Sequence, residues 1–254
     1  MTTACQKPTF FELARQCLSR TDRGYDLLAA KFESTAYATP MPWIEESLQR
    51  VDERFPIANP SQSQGADLAC GTGRGSRALR RSCQKVDGFD FSAGMLREAS
   101  RLSEGLTGMN WQEADLACLV LAPKSYDRIV TFGAWGHILP SFRGQLLRRI
   151  LSALKPGGVF VTLTANEPEV WERRYWFSLV FDSLIWMRNR LWFQEFHMYY
   201  RLNSTQSLSR NLRVASRELV ERCPEESLPE LYLEPLTVCE SSAITLVMLR
   251  RAGS

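Results

Sequence analysis

The stretch Gly65-Ala66-Asp67-Leu68-Ala69-Cys70-Gly71-Thr72-Gly73-Arg74-Gly75 constrains this chain more than any other. A short apolar run carrying one acid reaches a glycine-rich corner, then passes into a helix-permissive segment, Ser76 to Arg81. Glycines at alternate positions let the main chain turn sharply and let a ligand lie against the backbone. The helix that follows aims free N–H groups at whatever occupies the corner. A phosphate would suit such a corner. The carboxylate of Asp67 favours instead a ligand with a positive or hydrogen-donating group. The dinucleotide fingerprint G-x-G-x-x-G fails, because its third glycine falls on Ser76. A purely structural glycine turn stays open at this point.

From Asp67 onward strand-like and helix-like segments alternate, which predicts a parallel sheet with crossover helices. Val86 to Phe91 reads as a short strand carrying an acid, Asp90, near its end. Ser92 then caps a helix, Ala93 to Arg101, with Met95, Leu96 and Ala99 facing inward. Asp90 lies 23 residues beyond Asp67, close to the spacing at which an acid reaches ribose hydroxyls in nucleotide-binding units. Trp111 to Leu116 closes a third unit. Tyr126 to Gly133 reads as a strand buried on both faces. It runs into Ala134-Trp135-Gly136-His137-Ile138, at the strand end where open sheets place their ligands. A helix from Phe142 to Leu154 follows. Lys155-Pro156-Gly157-Gly158 then turns the chain into strand Val159 to Thr164, and Leu231–Cys239 with Ala243–Leu249 reads as a terminal hairpin.

Asp67 to Arg74 resembles the first motif of class I S-adenosylmethionine-dependent methyltransferases of the small-molecule type. Asp90-Phe91-Ser92 with Met95-Leu96 is similar to the second motif, and the run LKPGG before the fifth strand to another. The resemblance implies an α/β fold, a Rossmann-like doubly wound sheet of seven strands whose last strand runs antiparallel between the fifth and sixth. It implies S-adenosyl-L-methionine as cofactor. By the same resemblance Asp67, Ala69, Gly71, Thr72 and Gly73 hold its methionine part and Asp90 its ribose. Phe91 and Met95 line the adenine, Asp115 with Leu116 meets the adenine amino group, and Phe132 and Gly133 complete the set. Plain core packing for Phe91 and Met95, and a turn-starting role for Asp115, stay open.

Residues 1–60 are expected to form an N-terminal helical cap, in which the segment from Tyr25 to Tyr37 is similar to caps that close over the cofactor. Residues 61–166 and 230–254 are expected to form the core, and 167–229 a substrate-lid insertion. Residues 171–200 hold 11 aromatics, among them Trp171, Trp176, Trp186 and Trp192 of the seven tryptophans. Arginines flank the most apolar part, so three readings compete: a lid over an apolar pocket, a membrane-surface or dimer contact, or an RNA-stacking surface. Candidate substrate contacts are Tyr25, Tyr37, Trp135, Trp171, Tyr175 and Trp176. Only two histidines exist. His137, in the loop after the fourth strand, is the candidate general base, with a loop-shaping role as the alternative; His197 is a second candidate. No His/Cys cluster suggests a metal.

Seven scattered cysteines without a C-x-x-C pair fit reduced thiols rather than a disulfide framework. Met1 to Arg20 has no apolar run of the secretory kind. A cytoplasmic location is expected. The expected activity is methyl transfer to a small apolar or aromatic metabolite. The alternatives are an RNA methyltransferase and a non-catalytic S-adenosylmethionine-binding assembly protein.

Overall fold

A computed structural model describes residues 9, 21–35, 38–135, 138, 140–165, 171–191, 205–222, 227–236 and 244–252. Its elements are α1 (Thr21–Leu28), a 3-10 turn (Ala29–Ser34), α2 (Met41–Arg54), β1 (Gln64–Leu68), α3 (Arg74–Leu79), β2 (Lys85–Asp90) and α4 (Ala93–Leu102). There follow β3 (Met109–Glu113), β4 (Tyr126–Thr131), α5 (Pro140–Ala153), β5 (Leu154–Ala165), α6 (Arg173–Leu191), α7 (Thr205–Arg222), β6 (Glu230–Pro235) and β7 (Ile244–Arg250). The described residues form one seven-stranded sheet, in the order β3-β2-β1-β4-β5-β7-β6. β1 to β5 pair in parallel, while β7 runs antiparallel between β5 and β6. The doubly wound α/β expectation holds, antiparallel hairpin included.

Successive strand residues point to opposite faces, so each central strand feeds two cores. Ile129, Phe160, Val247 and Leu249 pack with α5 and α7 on one face. Val130, Val159, Val161, Leu246 and Met248 pack with α2 and α3 on the other. β1 leads to β2 on one side and neighbours β4 on the other, so the order reverses between β1 and β4. Open sheets bind ligands at the carboxyl ends flanking such a reversal.

Two segments differ from the expected division of the chain. α2, within the expected cap, buries Ile44, Leu48 and Val51 against the sheet and is part of the core. α7, within the expected lid, buries Leu208, Leu212, Ala215 and Leu219 beside Leu147 and Leu151 of α5. An apolar stripe at helical spacing shows that one face must be covered; it does not say by what. The LKPGG run is not a clean stop either. β5 begins at Leu154, opposite Tyr126, and its register shifts before Val159, where Gly157 takes a φ of 77°.

Candidate functional site

Three strand ends meet at the reversal. After β1 the chain turns through Ala69, Gly71 and Gly73, all with positive φ (55°, 54° and 80°). Gly73 is the N-cap of α3 in the left-handed region, and a Cβ there would lie 2.6 Å from the Trp111 ring. Glycine is required twice over at that position, by conformation and by space. Gly75 is fixed differently: a Cβ would lie 2.7 Å from Asp67 Oδ2. The absent side chain lets α3 sit directly on the acid.

Asp67 is 2% exposed and accepts a 2.7 Å hydrogen bond from Ser76 Oγ. Burial, partly offset by Ser76 and reinforced by nearby Asp90, pushes its carboxyl up to about 7. Asp90 is 5% exposed at the end of β2 and accepts from the backbone N–H groups of Gly71 (2.8 Å) and Ser92 (2.9 Å). Burial outweighs these two bonds and pushes Asp90 up to about 6, with Asp26 adding to the rise. Two desolvated carboxylates thus stand at neighbouring strand ends, each held by neutral hydroxyl or amide donors. Such a pair repels a phosphate and suits a ligand that brings positive charge and hydroxyl donors.

A strap from Tyr25 to Thr39, described except at 36–37, crosses these ends. Asp26 Oδ1 accepts from Ser92 Oγ (2.6 Å) and Gly94 N (2.7 Å), at the first turn of α4. Tyr25 packs edge-on against Phe32 and Phe91, over Met95. Phe91 and Met95 therefore line a small apolar cluster shared with the strap. Glu33 binds Thr72 Oγ1 (2.9 Å) and Arg77 (2.6 Å) and lies 3.3 Å from Arg74 Nε. Arg74 also donates to the Glu33 and Thr39 carbonyls. Burial raises the Glu33 carboxyl, but Arg77, Thr72 and Arg74 more than offset it and hold it below its ordinary value. Farther along, Thr39 Oγ1 would lie 3.1 Å from a Cβ on Gly133.

The remaining candidates are spread more widely. Asp115 is exposed and accepts from Ala117 N (2.8 Å), starting a turn just past β3, while Leu116 packs against the main core. Phe132 packs against the core on the α2 and α3 side. Trp135 sits in the core. It was expected at the substrate, yet it is 4% exposed, donates Nε1 to Thr162 Oγ1 (2.8 Å) and stacks edge-on against Phe160. A tryptophan whose N–H finds a partner is a stable core residue. Trp171 and Trp176 are 80% and 54% exposed, and Tyr175 stacks edge-on against Trp176. Tyr37, His137 and His197 lie outside the described residues. The carbonyls of Trp135 and Ile138, on either side of positions 136–137, both accept from buried Arg143.

Asp26, Phe32, Glu33, Thr39, Ser76, Arg77 and Trp111 belong to this arrangement and escaped the sequence reading. Only Trp111, two residues before a strand-end acid, carried a local signal.

Comparison with known proteins gives consistent results. The family described as methyltransferase domain matches residues 66–158. A demethylmenaquinone methyltransferase of Clavibacter sepedonicus is 32% identical over 126 residues, 49% of this chain and 50% of that one. One of Bacillus licheniformis is 25% identical over 198 residues, 77% of this chain and 80% of that one. The chain thus spans about half the length of the first relative and about four-fifths of the second. The solved structure of an S-adenosylmethionine dependent methyltransferase from Mesorhizobium loti is similar in fold, with a TM-score of 0.54 at 20% identity over 81% of this chain and 98% of that one.

Proposed function

We propose, on the premise that this chain belongs to the class I S-adenosylmethionine-dependent methyltransferases, that it methylates a small apolar aromatic metabolite of the quinol class. The observation that carries the reading is the pair of buried acids, Asp67 and Asp90, at a glycine turn roofed by Tyr25, Phe32 and Phe91. The names of the two relatives supply the substrate class.

S-adenosylmethionine supplies an activated methyl group on a sulfonium, together with an ammonium and a ribose diol. The residues present fit it, since desolvated carboxylates gain most from a cationic, hydroxyl-bearing partner. In this reading Asp67 favours the ammonium end, with Ala69, Gly71, Thr72 and Gly73 shaping the turn. Asp90 accepts from the ribose while it keeps the turn in place through Gly71 N. Tyr25, Phe32, Phe91 and Met95 exclude water from the adenine side. Asp115 and Leu116 close its far end, and Phe132 and Gly133 floor the approach to the methyl. His137, the candidate base of the loop after the fourth strand, takes the acceptor hydroxyl proton, which raises electron density on an aromatic ring. General-base help of this kind is worth about 10²–10⁴ in rate. His137→Asn therefore loses at least about a hundredfold in turnover with cofactor binding intact.

The exposed aromatics of α6 are read as a contact surface for a membrane or a second copy, rather than as a wall of this site. Cytoplasmic residence is part of the proposal; Cys70 and Cys83 are buried free thiols, and cell fractionation tests it. The activity itself is tested with methyl-labelled cofactor and a panel of naphthoquinols, simple phenols and total RNA. Label in the organic extract that requires the reduced quinone supports the proposal. Label confined to RNA, or none on any acceptor despite cofactor binding, refutes it.

A further inference from the structure

Helix α6 packs extensively along none of the other described elements. On it Trp176, Val180, Leu184, Met187 and Leu191 recur at steps of four, four, three and four residues. They are 54%, 57%, 52%, 47% and 69% exposed. At the angular step of an α-helix the five fall within an arc of about 80°, a stripe roughly 22 Å long. Trp186, 64% exposed, stands at its flank, and Trp171 just before the helix. A contiguous apolar stripe of this size on a soluble surface marks a contact with something else.

Charge decides what that is. Arg173 and Arg190, both exposed, bracket the stripe at its two ends. The helix carries two further arginines, Arg174 and Arg188, against the single acid Asp182. A second copy of the helix complements this poorly. Parallel pairing sets Arg173 against Arg173, and antiparallel pairing sets it against Arg190. An anionic layer complements both ends at once. Tryptophan rings, apolar in body with one polar N–H, settle at the headgroup boundary of such a layer. No described helix is long and apolar enough to cross a membrane.

We propose that α6 lies in the plane of an anionic lipid bilayer, its Trp176–Leu191 stripe in the acyl boundary and Arg173 and Arg190 on the headgroup phosphates. The contact depends on α6 alone, so it stands or falls independently of the quinol substrate.

Flotation of the full chain with phosphatidylcholine vesicles, with and without phosphatidylglycerol, tests it. The wild type should float with the anionic vesicles only, and less so as salt rises. R173E/R190E should weaken binding by at least about tenfold, at roughly one decade or less per basic residue near such a surface. V180E/L184E should abolish flotation while calorimetry with S-adenosylhomocysteine shows an unchanged cofactor site. Equal binding to neutral vesicles, or flotation indifferent to V180E/L184E, overturns the proposal. So does a wild type that never floats but elutes as a dimer that V180E/L184E makes monomeric, which would assign the stripe to a second copy. Loss of cofactor binding in V180E/L184E would also overturn it, by placing α6 over the methyl-transfer site.

Discussion

Asp67 and Asp90 hold protons that the unfolded chain releases. Both carboxyls titrate near 3.8 when free, and burial pushes them up to about 7 and about 6. A raised carboxyl contributes stability that is fully present below the unfolded value and is lost as pH rises through the folded one. The ligand-free protein should therefore melt at progressively lower temperature as pH rises from about 4 to about 7, with little further change above. Asp67→Asn, which cannot ionise, should flatten that slope; a slope unaltered by the substitution would mean Asp67 is already ionised. A cationic cofactor should stabilise most at the upper end, where the acids are charged. Asp90→Ala removes the acceptor for Gly71 N and, in the proposed reading, for the ribose, so S-adenosylhomocysteine should bind roughly tenfold to a hundredfold more weakly. Calorimetry on a variant of confirmed fold checks this. These acids and glycines were legible in the sequence because backbone turns and strand ends leave local marks. Trp135 was not. A tryptophan after a buried strand reads equally as a pocket wall or as core, and its partner Thr162 lies 27 residues away.

At the scale of elements, the strap owes its path to small residues that let it approach. A Cβ on Gly94 would lie 2.9 Å from the Asp26 main chain and one on Gly133 3.1 Å from Thr39 Oγ1. Glu33 is its latch, and its partners Thr72 and Arg77 are 39 and 44 residues away. No periodicity marks such an acid, which reads as one more solvated charge. Glu33→Gln should cost the whole fold no more than about 1 kcal/mol, as for other partly exposed ion pairs. Concentrated on the strap, the same energy should speed S-adenosylhomocysteine release by about fivefold in stopped flow. An unchanged release rate would make the strap static packing. α6 and α7 pose the opposite problem, because both carry apolar stripes that sequence alone assigns to one insertion. Leu212, fully buried on α7, should lose about 2–5 kcal/mol as Ala in denaturant melts. Leu184→Ala on α6 should stay within about 0.5 kcal/mol. The strands were easier to read, since short length and β-branched residues set them apart from helices, as Ile129, Val130 and Thr131 do just before Gly133 in β4.

Over the whole molecule, the parallel sheet was legible in alternating patterns and the antiparallel hairpin in the family resemblance, whereas the division into cap, core and lid was not. That division depends on which apolar faces meet, a property of pairs far apart in the chain. β7 shows how far. Every described residue of β5 from Val159 to Ala165 pairs with β7, Val159 with Arg250 and Ala165 with Ile244. Arg251, 2% exposed, then donates to the carbonyls of Leu151 and Ser152 at the end of α5 and of Leu154 at the start of β5. During synthesis the ribosome must therefore deliver residues 244–251 before one edge of β5 acquires its partner. Until then a long apolar strand stands open, a template for pairing with any other nascent chain. Translation pauses after residue 165 would prolong that exposure, and a message truncated before codon 244 would yield an aggregating product instead of a smaller working enzyme.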